Sequence, residues 1–340
     1  MRAPFPLLAL VFAAAAAHAS ACGDSGASDD GNLDGGAGAP TLPDTGVGFD
    51  DARAPAATMR LAHVAPGLGP VDFCYRSATT SSFEGPVLGG GGPGPRADAG
   101  DAEAGDGLDL EEDAGDLDAS EGGVEIRAVA YRSVSRYLTL AAAGPLTIAL
   151  VPAGASSCAS LIFSADVTLD PGKLATVAIM GSRDADGGES ALGLAGFVDD
   201  RATEPDKSRV RIVHAATGTA SRAASPAIAV RAVGAKVVPV AERVEPRKAS
   251  SASSTVPVDS LGYATITPVP SPAQLAVGPA PDTSADGAAD SWMSLPGELG
   301  LRGAALHTGF VLTADDQSFE ILWCTDTSTS GERTTCQLVR

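Results

Sequence analysis

The sequence predicts an all-β protein built as two tandem immunoglobulin-like β-sandwich domains, and three observations carry that expectation. Short alternating or wholly apolar segments follow one another with Gly, Pro, Asp and Ser between them, the pattern of strands joined by turns. No amphipathic helix of useful length interrupts them. Arg60-Leu61-Ala62-His63-Val64-Ala65-Pro66-Gly67 returns as Arg211-Ile212-Val213-His214-Ala215-Ala216-Thr217-Gly218, an offset of 151 residues, which marks one unit copied twice.

The chain opens with an address. Arg2 precedes an apolar run from Phe5 to Ala17, too short for a membrane span and shaped like the core of a signal peptide, so residues 1–21 are expected to be removed. The run ends in Ala19-Ser20-Ala21-Cys22. This reads either as an ordinary signal-peptidase site or as a lipobox whose Cys22 is acylated. The lipobox is the preferred reading, because Cys22 stands at the cleavage point and a Gly/Ser/Asp segment follows as a tether. Residues 22–57 are then a disordered leash with a root-mean-square span of about 33 Å. The predicted location is the cell envelope, lipid-anchored, with the outer membrane or cell surface favoured because Gly23 follows Cys22 rather than Asp. Secretion without the lipid is the alternative.

The first domain is expected over 58–200, with strands at Met59–Ala65, Val71–Arg76, Val124–Tyr131, Pro145–Val151, Leu161–Leu169 and Leu174–Met180. In Leu146-Thr147-Ile148-Ala149-Leu150 the apolar residues recur every second position, as in a strand with one face in a core. A disordered acidic insertion is expected at about 79–122, since loop closure costs little more for a long loop than for a short one. The second domain is expected over 208–340, after a polar linker containing Glu204-Pro205-Asp206. Tyr137–Leu140 through Val151–Gly154 parallels Tyr263–Ile266 through Val277–Ala280. Leu169–Gly172 leading into Thr176–Ile179 parallels Leu301–Ala304 leading into Thr308–Val311.

Net charge is −19, but its distribution removes most of its meaning for partners. Ala97–Glu121 holds eleven acidic residues and no basic one, and Gly23–Asp51 holds seven and none, so these stretches carry −18 of the total. The remainder is nearly neutral. No basic patch with interleaved aromatics exists, so nucleic acid is not an expected partner. Beyond Cys22 the cysteines are Cys74, Cys158, Cys324 and Cys336, an even set in a chain bound for an oxidising space. Of three possible pairings, Cys74 with Cys158 and Cys324 with Cys336 is preferred because each bond stays within one domain. Zinc is disfavoured, with no C-x-x-C pair and no nearby His.

At this level the chain resembles the bacterial domain of unknown function 4397, a family found in tandem copies in exported and surface-attached proteins. The family's opening, R-V-x-x-H-A-S-P followed by V-D-V-Y, is similar to His63-Val64-Ala65-Pro66 and Val71-Asp72-Phe73-Cys74-Tyr75. Its later Y-x-x-L-x-A-G and V-x-P-A-G resemble Tyr137–Gly144 and Val151–Gly154, and its closing apolar-D-D resembles Phe197-Val198-Asp199-Asp200. The second unit departs, with Ala227-Ile228-Ala229-Val230 in place of the V-D-V-Y strand. The resemblance implies a fold and no activity.

The best candidate site residues are His63 and His214, which recur at equivalent positions. Met59, Leu61 and His63 share one strand face, as do Val210, Ile212 and His214, so both are expected to be structural, neutral and bonded to a neighbouring turn. His307 is solitary and expected to be structural. Gly23-Asp24-Ser25-Gly26 mimics a serine-protease nucleophile segment but has only the signal peptide upstream, where the base should lie. Asp170-Pro171-Gly172-Lys173 is expected to form a β-turn rather than a phosphate loop. Asp101, Glu103, Gly105, Asp109 and Glu112 fall at calcium-loop positions, but Asp106 replaces the required Gly and no flanking helices are predicted. The sequence therefore predicts no metal, no cofactor and no enzyme. It predicts a non-catalytic exported envelope lipoprotein, a binding, adhesion or structural module with an unknown protein or glycan partner. An exported hydrolase or metal-dependent enzyme, using His63, Asp72 or the acidic insert, is the alternative.

Overall fold

Strands appear where apolar alternation and turn residues place them. The structure is a computed structural model that describes residues 56–340 except 90–127, 186–187, 217–225, 254, 270–272, 282–291, 296–300, 302, 314–317 and 327–333. In the first half, β1 (Ala57–His63), β3 (Ser133–Val134), β4 (Leu138–Leu140), β7 (Leu174–Met180) and β8 (Gly193–Asp199) make one sheet. A second sheet comprises β2 (Val71–Ser77), β5 (Gly144–Pro152) and β6 (Phe163–Leu169). In the second half, β9 (Ser208–His214), β12 (Tyr263–Ile266), β15 (Ala305–Thr313), β16 (Phe319–Asp326) and β17 (Thr334–Val339) make one sheet. Its partner sheet holds β10 (Ile228–Val233), β11 (Val237–Val244), β13 (Gln274–Pro279) and β14 (Met293–Leu295). Each half is thus a pair of sheets.

The second half repeats the pairing of the first. β1 runs parallel to β7 and β9 parallel to β15, Arg60 standing opposite Thr176 and Arg211 opposite Thr308. β7 is antiparallel to β8 and β15 to β16, with Leu174 opposite Asp199 and Leu306 opposite Asp326. β2-β5-β6 corresponds to β10-β13-β14. The β6–β7 turn is Asp170-Pro171-Gly172-Lys173, with the Lys173 N–H donating to Asp170 O at 3.2 Å. Gly172 supplies the φ of +68° that its third-position place in a type II turn needs.

Alternation decides which sheets lie inside. β6 alternates between exposed and buried residues, so one face meets solvent, whereas β7 is buried at every position after Leu174. β1, β9 and β15 are likewise buried on both faces. One face of each packs on its own half: Met59, Leu61, Phe73, Ile148 and Val177 in the first core, Ile212, Val230, Val277, Ile321 and Trp323 in the second. The other face makes a third core between the halves, from Ala62, Ala178 and Met180 on one side and Val213, Phe310 and Leu322 on the other. Residues Ala52–Arg340 accordingly form one compact unit.

Two expectations need correction. The segment 124–131 is not a strand where described: residues 128–131 carry only an isolated bridge, Val129 to Val71. Residues 79–89, expected to lie within the disordered insertion, instead have a defined path. Glu84 exchanges backbone hydrogen bonds with Tyr75, and Leu88 is buried in the first core. Residues 90–122 lie outside the described residues.

Candidate functional site

The deepest polar feature lies between the halves, and it is built from the repeated motif. Counting back from His63 and His214, the residues that turn away from their own cores are Arg60 and Arg211, both fully buried. Arg60 clamps Asp326 of the other half, its Nη1 donating to Oδ1 at 2.8 Å and its Nη2 to Oδ2 at 3.1 Å. Its Nε donates to Thr176 at 2.8 Å, and Nη1 also reaches the Thr334 hydroxyl at 2.8 Å. Arg211 answers in the opposite direction, pairing with Asp199 of the first half and donating to Val198 O at 2.9 Å. Asp199 Oδ2 also accepts from Tyr137 at 2.9 Å and from Thr176 at 2.6 Å. Each guanidinium lies over a tyrosine of its own half: Arg60 over Tyr137 at 4.8 Å and Arg211 over Tyr263 at 4.7 Å.

Burial opposes the charges of Arg60, Arg211 and Asp199, and pairing outweighs it. Desolvation works against the Arg60 guanidinium, but Asp199 and Asp326 hold its pKa above the ordinary value. Desolvation likewise pushes against ionised Asp199, and Arg211 and Arg60 nonetheless keep its carboxyl below the usual range. Burial pushes the Tyr263 phenol up to about 12, against the pull of Arg211. The network therefore consists of fixed charges bonded to one another, with neither a nucleophile beside a free base nor a proton donor poised near neutrality. A second contact of the same kind sits at its edge, where Arg132 pairs with buried Glu320 and Arg247 donates to Ala191 O at 2.6 Å.

The histidines lie on the other faces of these strands. His63 is fully buried, and its Nε2 lies 3.0 Å from Gly69 O; His214 repeats this with Pro226 O at 3.0 Å. Burial lowers the pKa of His63, so the neutral ring with Nε2–H donating is its form. His307 is separate: its Nδ1 lies 3.0 Å from the Thr325 hydroxyl and its ring stacks on Trp323 at 5.2 Å. Desolvation lowers its pKa to about 4.

Asp72 holds backbone rather than substrate. Its Oδ1 accepts from Phe73 N at 2.6 Å and Leu88 N at 2.9 Å, and its Oδ2 from Gly89 N at 2.7 Å. Cys74 is bonded to Cys158 and Cys324 to Cys336, with Cα separations of 6.1 and 4.0 Å. Cys22, Gly23–Gly26 and the Asp101–Glu112 loop lie outside the described residues. Among the described residues no three His, Cys, Asp or Glu side chains are grouped to hold a metal ion. Among the described residues a cleft of about 540 Å³ opens beside β11 and β12, lined by Val238, Val256 and Ile266, and another of about 490 Å³ opens beside the Arg211 end of the network, lined by Phe197, Val198, Ser251 and Asp259. Neither is lined by His63, His214, His307 or Asp72.

The sequence reading missed Arg60 and Arg211 as a site, although both open the motif that revealed the duplication. The signal was present: a long cation recurring within an otherwise apolar strand has to find a buried partner. Its partners, Asp199 and Asp326, are not recognisable from spacing, because each belongs to the other half.

Residues 111–221 match the family model described as "Domain of unknown function (DUF4397)". This segment is similar to the DUF4397 family. The DUF4397 match runs through Tyr137 and Asp199 to Arg211 and His214, so it straddles the two halves and leaves out Arg60–Tyr75. No curated protein matches the chain. Among solved structures, the Bacillus anthracis TIE protein aligns over 84% of this chain and 44% of its own length, at 8% identity and a TM-score of 0.19.

Proposed function

We propose that this DUF4397 protein is a non-catalytic exported lipoprotein of the cell envelope, in which paired sandwiches form a rigid module that binds or spaces other envelope components. The observation that carries the reading is the fate of the repeated polar residues. Arg60, Arg211, His63 and His214 are the side chains a duplicated active site would use, and each is engaged in bonds internal to the protein. Two disulfides suit an oxidising compartment, and the N-terminal run ending at Cys22 suits acylation. The partner would be a protein or glycan met by surface loops, with the membrane contacted through the lipid.

Palmitate labelling with envelope fractionation tests the anchor: wild type takes up label and sediments with membranes, whereas Cys22→Ser does neither. Equal fractionation of the two would remove the lipoprotein reading. Cross-linking in intact cells tests the binding role, with a discrete envelope adduct expected; hydrolytic activity lost in a folded His63→Phe variant would replace it with an enzymatic one.

A further inference from the structure

The contacts between the halves are reciprocal. Arg60 of the first half meets Asp326 of the second, while the equivalent Arg211 of the second meets the equivalent Asp199 of the first. The same exchange holds at the edge, where Arg132 reaches β16 of the second half and Arg247 reaches Met180 O and Ala191 O of the first. Arg132 and Arg247 are themselves equivalent: their N–H groups donate to His63 O and His214 O, each at 2.8 Å, and their φ angles are +63° and +62°. Residue i touching j while j touches i is the signature of a two-fold dimer interface. Two modules merely strung on a linker have no reason to show it.

The apolar side chains depart from that symmetry in size, in both directions. Matched through the strand pairings, Ala62 corresponds to Val213, Ala178 to Phe310 and Ala195 to Leu322. Three other positions reverse the sense, with Val64 against Ala215, Val134 against Ala249 and Phe197 against Cys324, so the two faces differ in relief, each larger where the other is smaller. A face set against a copy of itself would bring together other volumes than these at each of the six positions, so packing favours the mixed pair.

We infer that the surface between the halves is a dimer interface captured within one chain, and that the opposed size differences at equivalent positions make the first-half face specific for a second-half face. The partner this surface fits is the second half, from its own chain or from another copy. The covalent link is then dispensable for pairing. It consists of the exposed stretch after Asp200, and neither disulfide crosses it.

The test inserts a protease site between Thr203 and Glu204 of the full chain, cleaves it under native conditions, and follows the halves by size-exclusion chromatography and native mass spectrometry. The halves are expected to stay together as a 1:1 complex at micromolar concentration. Mixing differently tagged cleaved preparations after a brief exposure to mild denaturant should give exchange between first and second halves, with no homotypic pairs. Arg60→Asp should weaken the complex by roughly a hundredfold or more, and adding Asp326→Arg should recover at least part of that loss. Circular dichroism of each cleaved variant separates lost pairing from lost folding, and the restoring exchange reads the interface even if Arg60→Asp alone unfolds. Halves that separate on cleavage while still folded, homotypic complexes that compete with the mixed one, or no rescue by Asp326→Arg would overturn the inference.

Discussion

The side chains that matter most here are polar ones placed where water is absent, and each makes a prediction about stability. Asp72 satisfies three backbone N–H groups, so Asp72→Ala strands them in a buried site. A cost of about 1–3 kcal/mol for each unsatisfied group is typical, and urea unfolding should show a loss in that range or above it. His307 makes stability depend on acid. Its pKa in the folded chain is about 4, against about 6.5 in an unfolded one. Between those values the unfolded chain binds a proton that the folded chain refuses, so stability is complete above pH 6.5 and declines as pH falls toward 4. The decline from this residue is at most about 3 kcal/mol, and it stops below 4 where both states are protonated. His63, lowered by burial, and Asp199, held ionised by Arg211 and Arg60, act with the same sign. Chemical denaturation at pH 7 and pH 5 should therefore differ for wild type, and His307→Phe should reduce that difference; an unchanged slope would show that His307 protonates freely in the folded chain.

At the level of elements, the strands were largely legible and their second faces were not. β1, β2, β5, β6 and β7 lie within a residue or two of where alternation placed them, because Gly, Pro and Asp mark their ends. Val124–Tyr131 misled because an apolar run ending in an aromatic imitates a strand, whereas among its described residues, 128–131, only Val129 pairs. The partner face of β1 was hidden for a different reason: Arg60 reads as a solvent residue until Asp326 is known to meet it. His63 and His214 each stand beside a carbonyl close in sequence, which is where a histidine at the end of an apolar alternation finds a partner. The cysteine pairing was legible because each bond falls within one half. Cys324 and Cys336 stand directly opposite on β16 and β17, so this bond ties down an edge strand whose Thr334 also holds Arg60 and Asp326. Chain-entropy reasoning gives about 3 kcal/mol for this short loop and about 4.5 kcal/mol for Cys74–Cys158. The Cys324→Ser/Cys336→Ser variant, which retains only the longer bridge, should unfold in urea with about 3 kcal/mol less stability than oxidised wild type; equal melting of variant and oxidised wild type would mean that β17 needs no tie.

For the whole molecule the decisive property is cooperativity. Two sandwiches joined only by a linker would unfold in two independent steps, since neither core would lose contacts when the other melted. Here β1, β7, β9 and β15 each serve two cores at once, so melting one half bares Ala62, Ala178 and Met180 or Val213, Phe310 and Leu322 to water and leaves Arg60 or Arg211 without its carboxylate. Removing one partner from a buried ion pair costs about 3–5 kcal/mol, and truncating a buried phenylalanine costs about as much. Those losses are comparable to the stability of a single sandwich, so the halves should unfold together. Calorimetry of the intact chain is expected to show one transition whose van't Hoff and calorimetric enthalpies agree. Phe310→Ala with Arg211→Met should weaken the shared layer more than either core, and the transition should broaden or divide into two. Two resolved transitions in the unmodified chain would mean that the third core contributes little, and that each half owes its stability to its own pair of sheets.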